Sequence, residues 1–361
     1  MTNLPQRHSL VSQTAAILRE EIAKGTWIDW LPGERALCES LQVSRNTLRA
    51  ALAQMKADGS IRPEQGSGNR IVLSRRTKRA PLRSRDVAIL TPDALERLRP
   101  TQALWIDELR AMLNERGCRL HVFHGRQYFR TNPARTLEKL VTQNRHACWI
   151  LTLSNETVQR WFLKSGVPCI VAGSTYDGLA LPFRDLDHRA VCRHAAGMLL
   201  GLGHRKLALL LHKSKRAGDI ESEAGFVEGV RQSRQEGAEL IIAHHDATVA
   251  GIASTLRRLT EQRVPPTAML VANAYHYLTV ASKLAQMGWL VPRDVSLVSR
   301  DEDPFLAFLV PAPARYVASP HVLAQSLLHP VLELLKGETV TQTAVRIMPD
   351  FIRGESVAPP G

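Results

Sequence analysis

Between residues 31 and 70, two strong helix breaks enclose two short amphipathic segments. Leu31-Pro32-Gly33 cannot continue a helix, because proline fixes φ and glycine frees it. Apolar residues three to four apart then predict a short helix over residues 34–41. Ser44 is a good N-cap for a second helix, because its hydroxyl can accept a hydrogen bond from an unpaired backbone N–H. Asp58-Gly59 ends that second helix, so the pattern predicts two short helices joined by a tight connection.

The second predicted helix separates an apolar face, which would pack, from a face of long hydrogen-bond donors. The exposed donors are Arg45, Asn46 and Arg49. The segment that follows, from Ile61 to Val72, contains Gly66-Ser67-Gly68. These small residues predict a hairpin tip that can approach a phosphate backbone closely. The order helix, turn, helix, hairpin is typical of a winged helix-turn-helix.

Four segments follow one another at a fixed spacing: LPGER, VSRNTLRAAL, DGSI and GSG. Together they resemble the DNA-binding domain of the GntR family of bacterial transcription regulators, over roughly residues 9–73. The resemblance implies that this part of the chain binds double-stranded DNA. It also implies that Arg35 and Arg45 lie near bases, where an arginine can donate two hydrogen bonds to guanine.

The expected DNA contacts fall into three chemical groups. The arginines that would make the main contacts are Arg35, Arg45 and Arg49. The residues at the helix N-terminus, where N–H donors and the helix dipole favour phosphate, are Ser44, Asn46 and Thr47. The residues that would shape the hairpin tip against the minor groove are Gly66, Ser67 and Gly68. A charged residue on a helix is by itself more often solvated, so the expectation depends on the whole motif.

The charge distribution also favours a polyanionic partner. The chain of 361 residues has a net charge of +13 and a pI near 10.0. Residues 1–85 hold 15 basic and 7 acidic residues, whereas the remaining residues hold 32 and 27. Over half of the net charge therefore lies in under a quarter of the chain, around the predicted DNA-binding unit.

Composition predicts a cytoplasmic protein without a structural metal or cofactor. No apolar run reaches the length of a membrane span, and MTNLPQRHSLVSQ has no apolar signal region. The cysteines are scattered without a CxxC pair, which argues against a zinc site and against a disulfide framework. They are Cys38, Cys118, Cys148, Cys169 and Cys192. His244-His245-Asp246 is interpreted as a loop and not as a metal site, because adjacent residues at a strand end point to opposite sides.

The basic segment SRRTKRAPLRSR, residues 74–85, predicts a linker between domains. From Asp86 onward, short apolar runs alternate with helical patterns. This alternation predicts an α/β domain with parallel sheets that are covered on both faces. The first 73 residues would then form one domain and residues 86–361 another.

Residues 86–361 resemble the ligand-binding domain of the LacI/GalR regulators and of periplasmic sugar-binding proteins. The matching segments include VAILTPD, SGVPCIVAG, GLGHRKLALL, AGFVEGV, PTAMLVAN and MGWLVPRDVSLVSRDEDP. The resemblance implies a two-lobed, periplasmic-binding-protein-like fold with three crossover strands. One lobe would comprise residues 86–186 with 318–337, and the other residues 187–317 with 338–361. A small molecule would bind between the lobes, at the carboxyl ends of strands.

The family's recurrent ligand positions are only partly kept. The resemblance puts ligand contacts at Asp187, Ser222, Asn273, Arg300 and Asp301. Ser222 stands where the family usually has arginine, and Ala274 stands where an aspartate usually follows Asn273. The loss of that arginine weakens the case for a simple hexose, because a sugar hydroxyl is usually held between arginine donors and carboxylate acceptors. Arg300 offers a positive charge from another direction, although the family residue at that position usually packs.

These features favour a bacterial transcription regulator, most simply a repressor, that binds a pseudo-palindromic operator as a homodimer and responds to a sugar or sugar derivative. A second hypothesis keeps DNA binding and treats the cleft as a degenerate dimerisation or protein-interaction scaffold. A third is an enzyme, because some GntR-type domains are fused to domains that bind pyridoxal phosphate. No setting for a Schiff-base lysine stands out, so we expect no enzyme. A transport-type binding protein is disfavoured by the DNA-binding head and the missing signal region.

Overall fold

The computed structural model describes residues 10–23, 27, 30–64, 68–72, 85–233 and 235–361. The chain divides into two compact units, Met1–Leu82 and Arg83–Gly361. Of the linker expected over 74–85, only Arg85 belongs to the described residues. Among the described residues, no helix is long and apolar enough to cross a membrane.

The first unit contains the predicted helices and hairpin. Its elements are α1 (Leu10–Ala23), α2 (Glu34–Leu41), α3 (Arg45–Ala57), β1 (Ile61–Glu64) and β2 (Gly68–Ile71). Ser44 caps α3, as its hydroxyl accepts a hydrogen bond from the Thr47 N–H at 3.2 Å. β1 and β2 pair antiparallel, with Ile61 opposite Ile71. The sequence prediction of a helix-turn-helix followed by a hairpin is confirmed.

A small apolar core holds the first unit together. Each helix and each strand contributes to it, through Ala15, Leu18, Leu31, Leu37, Leu48, Ala51, Leu52, Met55, Ile61 and Ile71. Trp27 packs against this core. Trp30 does not, because it is 38% exposed and pairs with the hairpin instead.

The second unit alternates strands and helices. Its helices are α4 (Pro100–Asn114), α5 (Ala134–Gln143), α6 (Glu156–Ser165), α7 (His188–Gly201), α8 (Ala217–Gln232), α9 (Val249–Thr260), α10 (Ala274–Gln286) and α11 (Pro320–Lys336). Its strands are β3 (Asp86–Thr91), β4 (Arg119–His124), β5 (Cys148–Thr152), β6 (Cys169–Ala172), β7 (Phe183–Leu186), β8 (Lys206–His212), β9 (Glu239–His245), β10 (Ala268–Val271), β11 (Ser296–Ser299), β12 (Ala314–Val317), β13 (Ala344–Ile347) and β14 (Asp350–Ile352).

These strands form two six-stranded sheets. One has the order β13-β7-β6-β5-β3-β4, and all its neighbours are parallel. The other has the order β14-β12-β11-β10-β8-β9, and only β14 runs antiparallel to its neighbour. Apolar clusters cover both faces of each sheet, as parallel sheets require. The predicted α/β class with parallel sheets is confirmed.

The lobe boundary near the C-terminus differs from the expectation. The sequence assigned all of residues 338–361 to the second lobe, but β13 pairs with β7 in the first sheet, with Ala344 opposite Phe183. The chain therefore crosses between the lobes after β13, and only β14 joins the second sheet. β13 is an edge strand whose residues are exposed or half-buried, so it lacks the apolar run that marks the central strands.

Candidate functional site

The first candidate surface is the N-terminal end of α3. The side chains of Arg45, Asn46 and Arg49 are exposed there, and Thr47 is half-buried against the cap. The Ser44 and Thr47 hydroxyls lie 2.9 Å apart, which fixes the first turn of the helix. At this end of the helix, free backbone N–H groups and the positive end of the helix dipole lie beside long side chains that donate hydrogen bonds. Such an arrangement is suited to an anion.

The three predicted arginines of this surface differ in their partners. Nε of Arg49 donates to Glu34 of α2 at 2.9 Å, and Nε of Arg35 donates to Glu39 at 3.1 Å. For Arg45, the described part of the first unit offers neither a hydrogen bond nor an ion pair. Exposed ion pairs contribute little to stability, so both paired arginines can be released to another anion at small cost.

The hairpin carries cations that the sequence analysis did not single out. Arg62 and Arg70 lie opposite each other across the two strands, and both are exposed. The Arg70 guanidinium lies 5.9 Å from the Trp30 ring centroid and bonds to Glu64 at 3.2 Å. The available signal in the sequence was one arginine in each strand of the hairpin. Gly68 begins β2 with a φ of 99°, whereas Gly66 and Ser67 lie outside the described residues.

The second candidate site is a cleft between the two sheets of the second unit. Its volume is about 430 Å³, within the usual range for a small ligand. The carboxyl ends of the parallel strands meet the N-termini of α4, α7, α8, α10 and α11 at this cleft. Trp105 and Tyr316 contribute aromatic surface to a lining that also contains charged, polar and aliphatic side chains.

Arg300 is the centre of an ion network in this cleft. Its guanidinium donates to Asp301 at 3.0 Å, to Asp219 at 3.1 Å and to the Ser222 hydroxyl at 2.8 Å. Burial alone would lower the pKa of Arg300, but Asp301 and Asp219 outweigh it and raise that pKa. The buried side chain therefore stays charged, and the Ser222 hydroxyl that accepts from it is fully buried.

One ion pair of this network joins the two lobes. Arg99, at the start of α4 in the first lobe, donates to Asp301 of the second lobe at 2.7 Å. Burial would raise the pKa of Asp301, but the guanidinium groups of Arg300 and Arg99 hold that pKa well below its usual range. Both carboxylate oxygens of Asp301 are thus already occupied by arginine donors.

The other predicted cleft residues have structural roles of their own. Asp187 does not line the cavity, because its carboxylate caps α7 by accepting from the Ala190 N–H at 2.9 Å. Ser222 is fully buried beneath Arg300 and does not line it either. Asn273 does line the cavity, while its Oδ1 caps α10 through the Tyr275 N–H at 2.9 Å.

Asp185, in β7, is the aspartate that lines the cavity where the chain first passes from one lobe to the other. It accepts from the Ser174 hydroxyl at 2.6 Å and lies 3.6 Å from Nε2 of His188. Burial raises its pKa, but His188, Ser174 and the Leu186 N–H together lower it. The chain leaves β7 before Asp187, so strand alternation no longer decides where the second aspartate points.

Three histidines cluster at the second lobe's side of the cleft. The rings of His245 and His276 are 4.7 Å apart, and His212 lies 6.4 Å from each. Burial and the neighbouring histidines lower the pKa of His245 and of His276 to about 4. In the described part of the chain, no group of three or more histidine, cysteine, aspartate or glutamate side chains could hold a metal ion.

Two protein-family models match this chain. The model of the gntR family of bacterial regulatory proteins matches residues 10–71. A model of periplasmic-binding-protein-like domains matches residues 196–357. Each match lies within one of the two compact units, so the first unit contains a helix-turn-helix of the gntR type and the second contains a periplasmic-binding-protein-like domain.

Individual relatives are named as transcription regulators. The HTH-type transcriptional regulator MalR of Streptomyces coelicolor is 27% identical over 202 residues, which cover 54% of this chain and 58% of MalR. The arabinose metabolism transcriptional repressor of Geobacillus stearothermophilus is 22% identical over 301 residues, 76% of each chain. The structure of a transcriptional regulator CelR–cellobiose complex is 18% identical with a TM-score of 0.66, and it covers 97% of this chain and 100% of the CelR chain. The chain thus spans less than two thirds of the length of MalR, and the structural likeness concerns the fold.

Proposed function

We propose that this chain, which joins a gntR-type helix-turn-helix domain to a periplasmic-binding-protein-like domain, is a sequence-specific DNA-binding transcription regulator. The observation that carries the proposal is the capped N-terminus of α3, with Arg45, Asn46 and Arg49 exposed beside it. A helix end with such donors fits the major groove, where arginine reads guanine and amide side chains read adenine.

Within the DNA surface, Arg45 would read bases, since the described first unit gives it no partner. Arg35 and Arg49 would exchange their exposed glutamates for DNA. Ser44 and Thr47 would hold phosphate at the helix N-terminus, with Asn46 beside them. Gly68, with Gly66 and Ser67 before it, would bring the hairpin close to the minor groove, where Arg62 and Arg70 add positive charge.

The second unit would make operator affinity depend on a small molecule, a sugar or sugar derivative, bound between the lobes. The named relatives, an arabinose repressor and a CelR–cellobiose complex, support this class of effector. A ligand that favours closed lobes would change the spacing of two DNA-binding domains in a homodimer. The protein would act in the cytoplasm, because the DNA that it would bind is chromosomal. There it would act as a repressor, by binding and not by catalysis.

The test is footprinting of the purified protein on fragmented host DNA at stated salt concentrations. We expect a short inverted repeat near promoters. Arg45→Ala should weaken binding to this repeat by tenfold or more, because a bidentate base contact contributes about 1–3 kcal/mol. Lys56→Ala, at the exposed opposite end of α3, is the matched control and should keep the sequence preference. Diffuse binding that disappears with salt would overturn the proposal.

A further inference from the structure

The acidic side chains that line the cleft are all engaged within the protein. Asp93 accepts from Arg126 at 2.9 Å, and Glu302 accepts from Arg315 at 2.6 Å. Asp219 and Asp301 are bound by Arg300, and Asp301 also by Arg99. Asp185 is bound by Ser174 and lies beside His188. A neutral sugar entering this cleft would meet carboxylates that each already accept a hydrogen bond from another side chain.

The arginines of the lining equal its carboxylates in number, but they are not all paired. Arg97 of the first lobe and Arg216 of the second both line the cavity and are exposed. Neither forms an ion pair with any side chain that the structure describes. Arg99 is also accessible, since 27% of its side chain is exposed and a single amino group reaches Asp301. The lining therefore offers guanidinium donors to a ligand and no free carboxylate.

We propose that the cleft binds an acidic carbohydrate, a sugar phosphate or a sugar carboxylate, with its anionic group held between Arg97 and Arg99 of one lobe and Arg216 of the other. This inference rests on the proposed function, in which the cleft holds the effector. Guanidinium groups bind carboxylate and phosphate in a fork geometry that a neutral hydroxyl cannot match.

The same arrangement couples the ligand to the position of the lobes. Arg97 and Arg216 are cations without an ion-pair partner in the described structure, and they line the same cavity from opposite lobes. An anion held between them would attract both lobes at once, and it could use the guanidinium N–H donors of Arg99 that do not bond to Asp301. The closed arrangement is therefore the one that an acidic ligand stabilises, because a ligand shifts an equilibrium only through its different affinity for the two states.

The test is calorimetric titration of the full chain with matched sugars at constant ionic strength. The probes are glucose, glucuronate and glucose 6-phosphate, the same three forms of galactose, arabinose with its 5-phosphate, and inorganic phosphate. We expect at least one acidic form to bind tenfold or more tightly than its neutral parent, and the carboxylate and phosphate arms identify which acid is preferred. Inorganic phosphate bound as tightly as the sugar phosphates would overturn the assignment to a carbohydrate.

Arg216→Ala should reduce the affinity for the acidic sugar by tenfold or more. Lys215→Ala is the matched control, since Lys215 is its exposed neighbour outside the cavity lining and should leave the affinity unchanged. A neutral sugar that binds as well as its acid, an Arg216→Ala variant with unchanged affinity, or no binding by any acidic sugar overturns this inference. Operator footprinting tests the proposed DNA-binding function separately, so a failure here is distinguishable from a failure there.

Discussion

Replacement of Arg300 by methionine tests whether the buried ion network holds the second unit together. The variant keeps most of the side-chain volume and removes the charge. Asp219 would lose its only ion-pair partner in the described structure, whereas Asp301 would keep Arg99. The Ser222 hydroxyl would also lose a donor at 2.8 Å.

The expected loss at pH 7.5 is about 3–5 kcal/mol in the free energy of unfolding, because removal of one partner leaves a buried charge uncompensated. Ser222→Ala is the matched control. It removes two hydrogen bonds, the one from Arg300 and the one to the Gly218 carbonyl, and leaves every ion pair, so its expected cost is about 1–2 kcal/mol. Urea unfolding followed by circular dichroism measures both variants.

The pH dependence separates a charge effect from a packing effect. In the wild-type protein the folded-state pKa of Asp219 and Asp301 is lowered. Their stabilisation is thus present above the unfolded-state pKa, near 4, and is lost as pH falls toward the lower folded-state value. In Arg300→Met, burial without this cation would raise the pKa of Asp219, and protonation would relieve the penalty. The difference between wild type and variant should therefore shrink from pH 7.5 to pH 5. A loss below 1 kcal/mol, or a pH-independent loss, would refute this account of the network.

Further predictions concern packing, capping and titration. Gly225→Ala should destabilise the second unit by about 3 kcal/mol in thermal unfolding, because the added Cβ would lie 2.1 Å from the Arg189 carbonyl oxygen. At Gly197 an added Cβ would meet nothing within 4 Å, so Gly197→Ala should stabilise the second unit by about 0.5–1 kcal/mol. Ser44→Ala should cost the first unit about 1 kcal/mol. His276, whose pKa is about 4, should stay neutral at pH 5.5 in an NMR titration, and a midpoint near 6.5 would contradict this. The free energy of unfolding should fall as pH decreases from 6.5 to 4, because the unfolded chain takes up a proton at this histidine before the folded protein does.

Local chemistry made the first unit predictable from sequence. The N-cap at Ser44 and the break at Asp58-Gly59 bound α3 as expected, because each depends on nearby backbone groups only. The exposure of Trp30 was not predictable in this way. Its ring lies against Arg70, a residue 40 positions later, and only the folded hairpin brings the two together.

In the second unit, central strands were predictable and the edge was not. β5 and β10 are buried along their whole length, so they are continuous apolar runs in the sequence. The residues of β13 are exposed or half-buried, so the strand has no continuous apolar run, and its sequence does not indicate to which sheet it belongs. The cap made by Asp187 was hidden for a related reason, since a side chain that caps a helix cannot be told from one that faces a ligand by position in the sequence alone.

The position of Arg300 shows why ligand chemistry does not follow from motif positions taken singly. Arginine is missing at position 222, yet a guanidinium donates to the hydroxyl of the serine found there, from a loop 78 residues later in the chain. A charge in a cleft acts through its location, and several backbone positions can deliver it to the same place. Whether an acid or a neutral sugar fits therefore depends on the balance of the whole lining. Here that balance is set by residues that no motif marks, Arg97 and Arg216.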